Sequence, residues 1–133
     1  MTARAEDWPH QPLAQPYEEI AFPRRFSPAE LERIGKGRVP ARKSDKWFIY
    51  QQGPELFLHR SASGECVFQL DLGAGLARVA GLEGFTPEDR RAVLGYLIDR
   101  LLLDSKAPPP VVSAFASLDK ERLEMAWRNL AGA

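Results

Sequence analysis

The sequence predicts one α+β domain in which an antiparallel β-meander of three to five strands packs in two layers against C-terminal helices. Three short strand-like runs joined by two tight turns follow one another between residues 46 and 72. Two capped helix starts, at Ser27 and at Thr86, flank this meander. The length of 133 residues suits a single domain with one hydrophobic core.

The N-terminal region, residues 1–25, is predicted to be a Pro-rich arm, with the single folded domain at residues 26–133. Four prolines and few regularly spaced apolar residues favour an extended or partly disordered segment. Trp8 and Phe22 favour a second interpretation, because large aromatic side chains are costly to leave in water. In that interpretation the arm lies across the domain, and residues 17–22 add a short strand.

A short first helix is expected directly after the arm. Ser27 is the N-cap, Pro28 is the first helical residue and Glu30 is the third, which together form a capping box. Gly35 or Gly37 is expected to end the helix, because glycine adopts the left-handed conformation at low steric cost.

The predicted strands cover residues 46–51, 55–60 and 65–72, and a fourth is expected at residues 76–82. Short turns separate them, which favours antiparallel hairpins. Apolar residues alternate in the third strand, so one of its faces is expected to meet the core. That face carries Cys66, Phe68, Leu70 and Leu72.

Two further helices are expected after the meander. Thr86 caps a helix whose apolar residues recur at helical spacing, which suits a helix that lies on a sheet. Its charged residues are expected to face water or the margins of the apolar stripe: Arg90, Arg91, Asp99 and Arg100. The terminal helix is predicted at residues 118–130, after a rigid spacer of three prolines at residues 108–110.

Charge and composition limit the classes of function. Equal numbers of basic and acidic side chains, 18 of each, leave no global field that favours nucleic acid or an anionic membrane. Asp99 and Arg100 interrupt the longest apolar stretch, and no apolar run opens the chain, which favours a cytoplasmic protein with no membrane contact. One cysteine and two histidines predict no disulfide, no metal site and no cofactor.

His59, Arg60 and Ser61 are the polar candidates for a site. His59 and Arg60 are adjacent on a strand, so their side chains point to opposite faces and do not readily act on one atom. A structural role is favoured for His59, with general acid–base work as the alternative. Arg60 and Ser61 could bind phosphate or carboxylate, but an arginine that pins the turn or pairs with Asp45 or Glu65 is favoured.

A local excess of basic residues lies between residues 24 and 46, although the chain as a whole is neutral. A solvated surface is the favoured interpretation, and an anion-binding face is the alternative. The residues of this basic patch that lie nearest the meander are Arg38, Arg42, Lys43 and Lys46.

The aromatic run at residues 47–50 has three interpretations. It is core on both faces of the sheet, a platform for a base or a sugar, or a contact surface for another protein. Core burial is favoured because helices from both ends of the chain are available to cover the sheet. A buried position in the core is likewise favoured for Cys66, where a thiol has a raised pKa and low reactivity.

Three sequence blocks carry a resemblance. Residues 45–50 read DKWFIY, residues 56–61 read LFLHRS and residues 64–68 read GECVF. They resemble a family of small uncharacterised bacterial proteins with the pattern DKWFIY, L-aromatic-x-HRS and G-x-C-aliphatic-aromatic. The likeness covers residues 38–104, and Ala62 stands where the family pattern has an aromatic residue. The resemblance draws attention to this hairpin and implies no particular activity.

These features favour a non-enzymatic binding or interaction module, since no catalytic constellation is evident. Trp47 and Tyr50 would form an aromatic sheet surface for a protein partner or for a second copy in a dimer, with Arg60 beside it. The alternative is a protein that binds an anionic small molecule such as a phosphate or nucleotide, or a hydrolase, using Arg60 and His59. Nucleic-acid binding ranks third and is not favoured, because the chain is neutral.

Overall fold

A five-stranded antiparallel sheet forms the centre of the computed structural model, which describes residues 1–132. The strands are β1 (Glu18–Ala21), β2 (Trp47–Gln52), β3 (Glu55–Arg60), β4 (Cys66–Asp71) and β5 (Leu76–Val79). Their spatial order is β1-β5-β4-β3-β2, so the last four form the predicted meander and β1 pairs with β5 at the far edge. The predicted α+β class, with an antiparallel sheet and helices in two layers, is confirmed.

Three α-helices cover one face of this sheet: α1 (Pro28–Lys36), α2 (Pro87–Leu97) and α3 (Lys120–Ala131). Both predicted helix caps form, and each is a capping box. The Ser27 hydroxyl accepts the Glu30 amide at 3.1 Å, and the Glu30 carboxylate accepts the Ser27 amide at 2.9 Å. Thr86 and Asp89 make the same exchange at the start of α2. Gly37, with φ of 63°, ends α1. The helix starts therefore lie where the local sequence places them.

Short irregular helices complete the secondary structure. A π-helical turn (Ile98–Leu102) continues α2 without a break, and 3₁₀ turns occur at Ala5–Asp7 and Ser113–Phe115. No helix within residues 1–132 has both the length and the apolar character needed to cross a membrane.

The main hydrophobic core lies between the sheet and the helices. The side chains of β2 and β3 that enter it come from alternate positions, Trp47 and Ile49 on β2 and Leu56 and Leu58 on β3. From α2 and its π-helical continuation come buried residues of the predicted stripe: Val93, Leu94, Leu97, Ile98 and Leu102. Burial of this stripe on the sheet supplies the hydrophobic free energy that holds the two layers together.

Part of the predicted arm belongs to this layered structure. The strand expected within residues 17–22 forms as β1, and Phe22 is buried in the main core. Residues 1–17 contain no strand. The sheet therefore begins at Glu18, within the segment predicted as the arm.

Arg90 is less exposed than an arginine that faces water. The sequence predicts that this side chain faces water or the margin of the apolar stripe, and it is only 8% exposed. Its guanidinium donates to the Glu18 carboxylate at 2.6 Å and to the Leu82 carbonyl at 3.2 Å. β1 brings Glu18 against the start of α2, and this long-range contact could not be read from helical periodicity.

The face of β4 on which Cys66 lies also differs from the prediction. A register irregularity between Leu58 and His59 makes Phe68 pair with Leu58, whereas Cys66 pairs with His59. Directly paired residues of an antiparallel ladder share a face, so Cys66 lies on the His59 face and not on the Phe68 face. The predicted face shared by Cys66 and Phe68 is therefore wrong, although Cys66 is buried as expected.

Candidate functional site

An aromatic face lies on the side of the sheet opposite the helices. Phe48 and Tyr50 of β2 stand beside Phe57 and His59 of β3, in the alternate positions that the core does not use. The Tyr50 ring lies 5.0 Å from the Phe57 ring and 5.7 Å from the His59 ring, centroid to centroid, with nearly parallel planes in both cases. This continuous array is defined here as the aromatic face: Phe48, Tyr50, Phe57 and His59.

The N-terminal arm lies across the aromatic face. The ring of His10 is 5.7 Å from Phe48, 5.4 Å from Tyr50 and 4.8 Å from His59, centroid to centroid. Ala3 is 4% exposed and packs in the same cluster, together with the half-buried Trp8. The second interpretation of the arm therefore describes the structure, since the arm covers the sheet.

Hydrogen bonds hold this segment at both ends. The amide of Ala3 donates to the Lys36 carbonyl at 2.7 Å, and the amide of Gln11 donates to the Gly64 carbonyl at 2.9 Å. Between them the Trp8 indole donates to the Ser61 carbonyl at 2.9 Å. Residues 3–11 thus bind through a few backbone contacts and inserted side chains, without joining the sheet.

Two glycines make room for the arm. Gly37 has φ of 63°, and a Cβ placed there would overlap the Ile49 carbonyl and approach the Ala3 side chain. Gly64 has φ of 76°, and a Cβ there would come within 3.0 Å of the His10 Cα and the Pro9 carbonyl. Glycine is therefore required at Gly64 both by its left-handed conformation and by the close approach of the arm.

His59 is held as a neutral ring. Its Nδ1 donates to the Gly64 carbonyl at 3.1 Å, and its buried Nε2 has no partner among the described residues. Burial lowers the pKa of His59 to about 4 and outweighs the opposing effect of the Gly64 hydrogen bond. Burial raises the pKa of Tyr50. These shifts suit aromatic packing, and within residues 1–132 no carboxylate is hydrogen-bonded to His59 to orient it as a general base.

Cys66 lies beside this cluster as an unreactive thiol. Burial raises its pKa to about 12, and its Sγ contacts the Phe68 carbonyl at 3.4 Å. A thiol with so high a pKa carries almost no thiolate at neutral pH, which suits packing rather than nucleophilic attack. Among residues 1–132, no three His, Cys, Asp or Glu side chains are grouped to hold a metal ion.

Trp47 and Arg60 lie on the opposite face from Tyr50 and bind the end of α3. The Trp47 indole donates to the Leu130 carbonyl at 2.6 Å, and the Arg60 guanidinium donates to the same carbonyl at 2.7 Å. The guanidinium also donates to the Asn129 carbonyl at 3.0 Å and lies 5.0 Å from the Trp47 ring centroid. The prediction that Trp47 and Tyr50 share one surface is therefore wrong. Odd-numbered and even-numbered residues of β2 face opposite sides of the sheet.

Ser61 also has a local structural contact. Its hydroxyl donates to the Asp45 carbonyl at 2.8 Å and ties the turn after β3 to the segment before β2. Neither Glu65 nor Asp45 pairs with Arg60 within residues 1–132. The favoured turn-pinning role for Arg60 is thus replaced by binding to the C-terminal carbonyls of α3.

The basic patch does not converge on a pocket. Arg38 pairs with Asp45 at 3.1 Å, while Arg42 and Lys43 are exposed on the following loop and Lys46 is half-buried. A hydrogen bond from the Ala41 amide, helped by Arg38, lowers the pKa of Asp45 despite its burial. None of the three cavities described within residues 1–132 is lined by these cations together with His59.

A groove of about 930 Å³ opens where residues 11–16 pass the ends of β4 and α3. Its wall includes Arg60 together with Glu65 and Glu83, and His59 is not among the residues that line it. Because Arg60 already donates to α3, this groove offers an incoming anion little positive charge.

Comparison of the chain with protein-family models, with curated proteins and with solved structures yields no match.

Sequence reasoning did not identify Trp8 and His10 as site residues. The signal was present, because Trp8 is a large aromatic residue in a segment with no helical or strand periodicity. Such a residue must be buried by a long-range contact, and only the fold could show that the aromatic face of the sheet supplies it.

Proposed function

We propose that this protein is a non-enzymatic binding module whose aromatic face receives an extended peptide segment, and that its own N-terminal arm is the intramolecular occupant of that face. The observation that carries the proposal is the way residues 3–11 bind. They make hydrogen bonds at both ends and insert Trp8 and His10, yet form no strand. This arrangement resembles that of a bound peptide ligand.

The composition of the aromatic face supports this assignment. Aromatic residues provide a large contact area at a low cost in conformational entropy, and they are enriched where proteins bind one another. Prolines at positions 9, 12 and 16 restrict the unbound arm, which reduces the entropy lost when it docks. A partner with a similar extended aromatic segment would compete with the arm. The arm of a second copy is one such partner, and cytoplasmic location is part of the same proposal.

The proposal is tested by adding the arm in trans. A fluorescently labelled peptide of residues 1–12 is titrated into the full-length Trp8→Ala/His10→Ala variant, whose own arm has lost its two inserted rings. We expect saturable binding, and weaker apparent binding to the unmodified protein, because the tethered arm competes at an effective concentration on the order of millimolar.

A peptide carrying the same two substitutions is the matched control. It should not bind either protein. Failure of the unmodified peptide to bind the weakened variant, with the variant folded by circular dichroism, would count against a peptide-binding face.

A further inference from the structure

A second groove lies on the other side of the molecule from the aromatic face. It measures about 770 Å³ and runs between the end of α2, the proline segment and α3. This volume falls in the range of about 300–1,000 Å³ that is typical of small-ligand sites. A smaller cavity of about 230 Å³ shares Tyr96, Arg100 and Pro110 with it and extends it past the π-helical turn.

Apolar side chains form the floor of this groove. Phe115, Leu123 and Trp127 line it, and Tyr96 stands at its wall. The Trp127 ring meets Tyr96 and Phe115 edge to face, with centroids 5.1 Å and 5.3 Å away. These contacts fix the aromatic walls, so the groove is preformed.

Positive charge surrounds the apolar floor. Arg100, Lys120 and Arg128 line the groove against a single acid, Glu124. In the part of the chain that the structure describes, none of these three cations forms a salt bridge. The whole chain is neutral, whereas the described side chains that line this groove carry a net charge of +2.

The backbone around the groove favours an alkyl chain over a peptide. Pro109 and Pro110 form one wall and have no amide hydrogen to donate. The opposite wall is α3, whose interior amides are already used within the helix. An alkyl chain needs no hydrogen-bond partners from these two walls.

From these features we propose that the groove binds a monomeric long-chain carboxylate of the fatty-acid type. Its alkyl chain lies against Phe115, Leu123 and Trp127, and its carboxylate is held by Arg100 and Arg128. The site is independent of the aromatic face and of the function proposed for it.

Calorimetric titration of the full chain with octanoate, decanoate and dodecanoate, each below its micelle concentration, tests the proposal. The dissociation constant should fall about fourfold for each added methylene until the groove is filled. Decanol and a decyl trimethylammonium ion, which lack the negative charge, should bind more weakly than decanoate.

One variant and its control test whether Arg100 and Arg128 bind the carboxylate. Arg100→Gln/Arg128→Gln should weaken decanoate binding by about tenfold or more. The matched control is Arg122→Gln, because Arg122 also lies on α3 but is 77% exposed and outside the groove; it should bind normally. Absence of binding, an affinity independent of chain length, equal binding of the cationic amphiphile, or binding only to anionic lipid vesicles would each overturn the proposal.

Discussion

The His10 ring lies 4.8 Å from the His59 ring, centroid to centroid, and this contact fixes the N-terminal arm over the middle of the sheet. The two histidines of the chain thus meet across the interface between the arm and the domain. The Nδ1 of His10 forms a hydrogen bond with the Trp8 carbonyl, and the Nδ1 of His59 forms one with the Gly64 carbonyl. The arm is therefore positioned by specific contacts rather than by general hydrophobic attraction.

Substitution of Gly64 should release the arm. In Gly64→Ala the new Cβ would meet His10 and Pro9 at 3.0 Å, in addition to the strain of a left-handed alanine. Gly81→Ala is the matched control, since Gly81 has the same φ of 76° and no neighbour within 4 Å of its Cβ position. We expect both variants to lose about 1–2 kcal/mol of stability from backbone strain.

Only Gly64→Ala should also free the arm. Nuclear magnetic resonance of the Trp8 indole N–H measures this, because that proton is bonded to the Ser61 carbonyl in the docked arm. Faster solvent exchange of this proton in Gly64→Ala than in Gly81→Ala is the expected result. Equal exchange in the two variants would show that Gly64 does not make room for the arm.

His59 should make stability depend on pH. Its folded pKa of about 4 lies below the ordinary value of 6.5, so between these values the unfolded chain binds a proton that the folded chain does not. The free energy of unfolding should therefore fall as the pH falls from 6.5 towards 4, by up to about 3 kcal/mol. Urea unfolding across this range provides the measurement.

The matched variant for this measurement is His59→Phe, which keeps an aromatic ring beside Tyr50 and cannot titrate. Its slope of stability against pH between 6.5 and 4 should be smaller than that of the unmodified protein. Identical slopes would mean that His59 is not the group responsible.

Loss of Arg60 should loosen α3. In Arg60→Ala the Leu130 and Asn129 carbonyls lose a charged donor, and the Trp47 ring loses its stacked guanidinium. We expect a loss of about 2 kcal/mol in the free energy of unfolding, measured by chemical denaturation. Arg78→Ala on β5 is the control, because its contact with Glu19 is exposed and should contribute less than about 1 kcal/mol. Equal effects of the two substitutions would argue against the role of Arg60.

Asp89 should be more important than its place in a capping box suggests. It is 5% exposed, and its carboxylate accepts the Ser113 amide at 2.8 Å, the Ser113 hydroxyl at 2.6 Å and the Ala114 amide at 3.1 Å. Burial would raise the pKa of Asp89, but these hydrogen bonds, with that from the Thr86 amide, outweigh burial and lower it.

Asp89→Asn should therefore cost about 2 kcal/mol in chemical denaturation, because an amide cannot accept all these hydrogen bonds. Asp119→Asn, at the exposed cap of α3, should cost less than about 0.5 kcal/mol, since asparagine caps a helix as well as aspartate does. A small effect of Asp89→Asn would show that the contact between α2 and the 3₁₀ turn at Ser113–Phe115 contributes little to stability.

The elements that the sequence predicted correctly are those specified by neighbouring residues. The caps at Ser27 and Thr86, the meander and the stripe of α2 all follow from local chemistry and periodicity. The β-bulge beside His59 was not predictable in this way, because Cys66, Val67 and Phe68 are all apolar and do not show where the alternation shifts by one residue. The face on which Cys66 lies was consequently misassigned.

The candidate site depended even more on long-range contacts. The sequence showed that His59 and Arg60 point to opposite faces, and the structure agrees. It could not show that the arm covers one of these faces while α3 uses the other. Both facts depend on where distant segments dock, and no periodicity in residues 1–17 indicates where the arm docks.

Amide hydrogen exchange tests most directly whether the arm is a bound but displaceable occupant of the aromatic face. We expect the Ala3 and Gln11 amides to be protected together, through their bonds to Lys36 and Gly64, but to open at a lower free energy than the amides of β3. No protection at Ala3 and Gln11 would contradict docking of the arm. Protection equal to that of β3 would contradict displacement, because the arm would then open only when the whole domain unfolds.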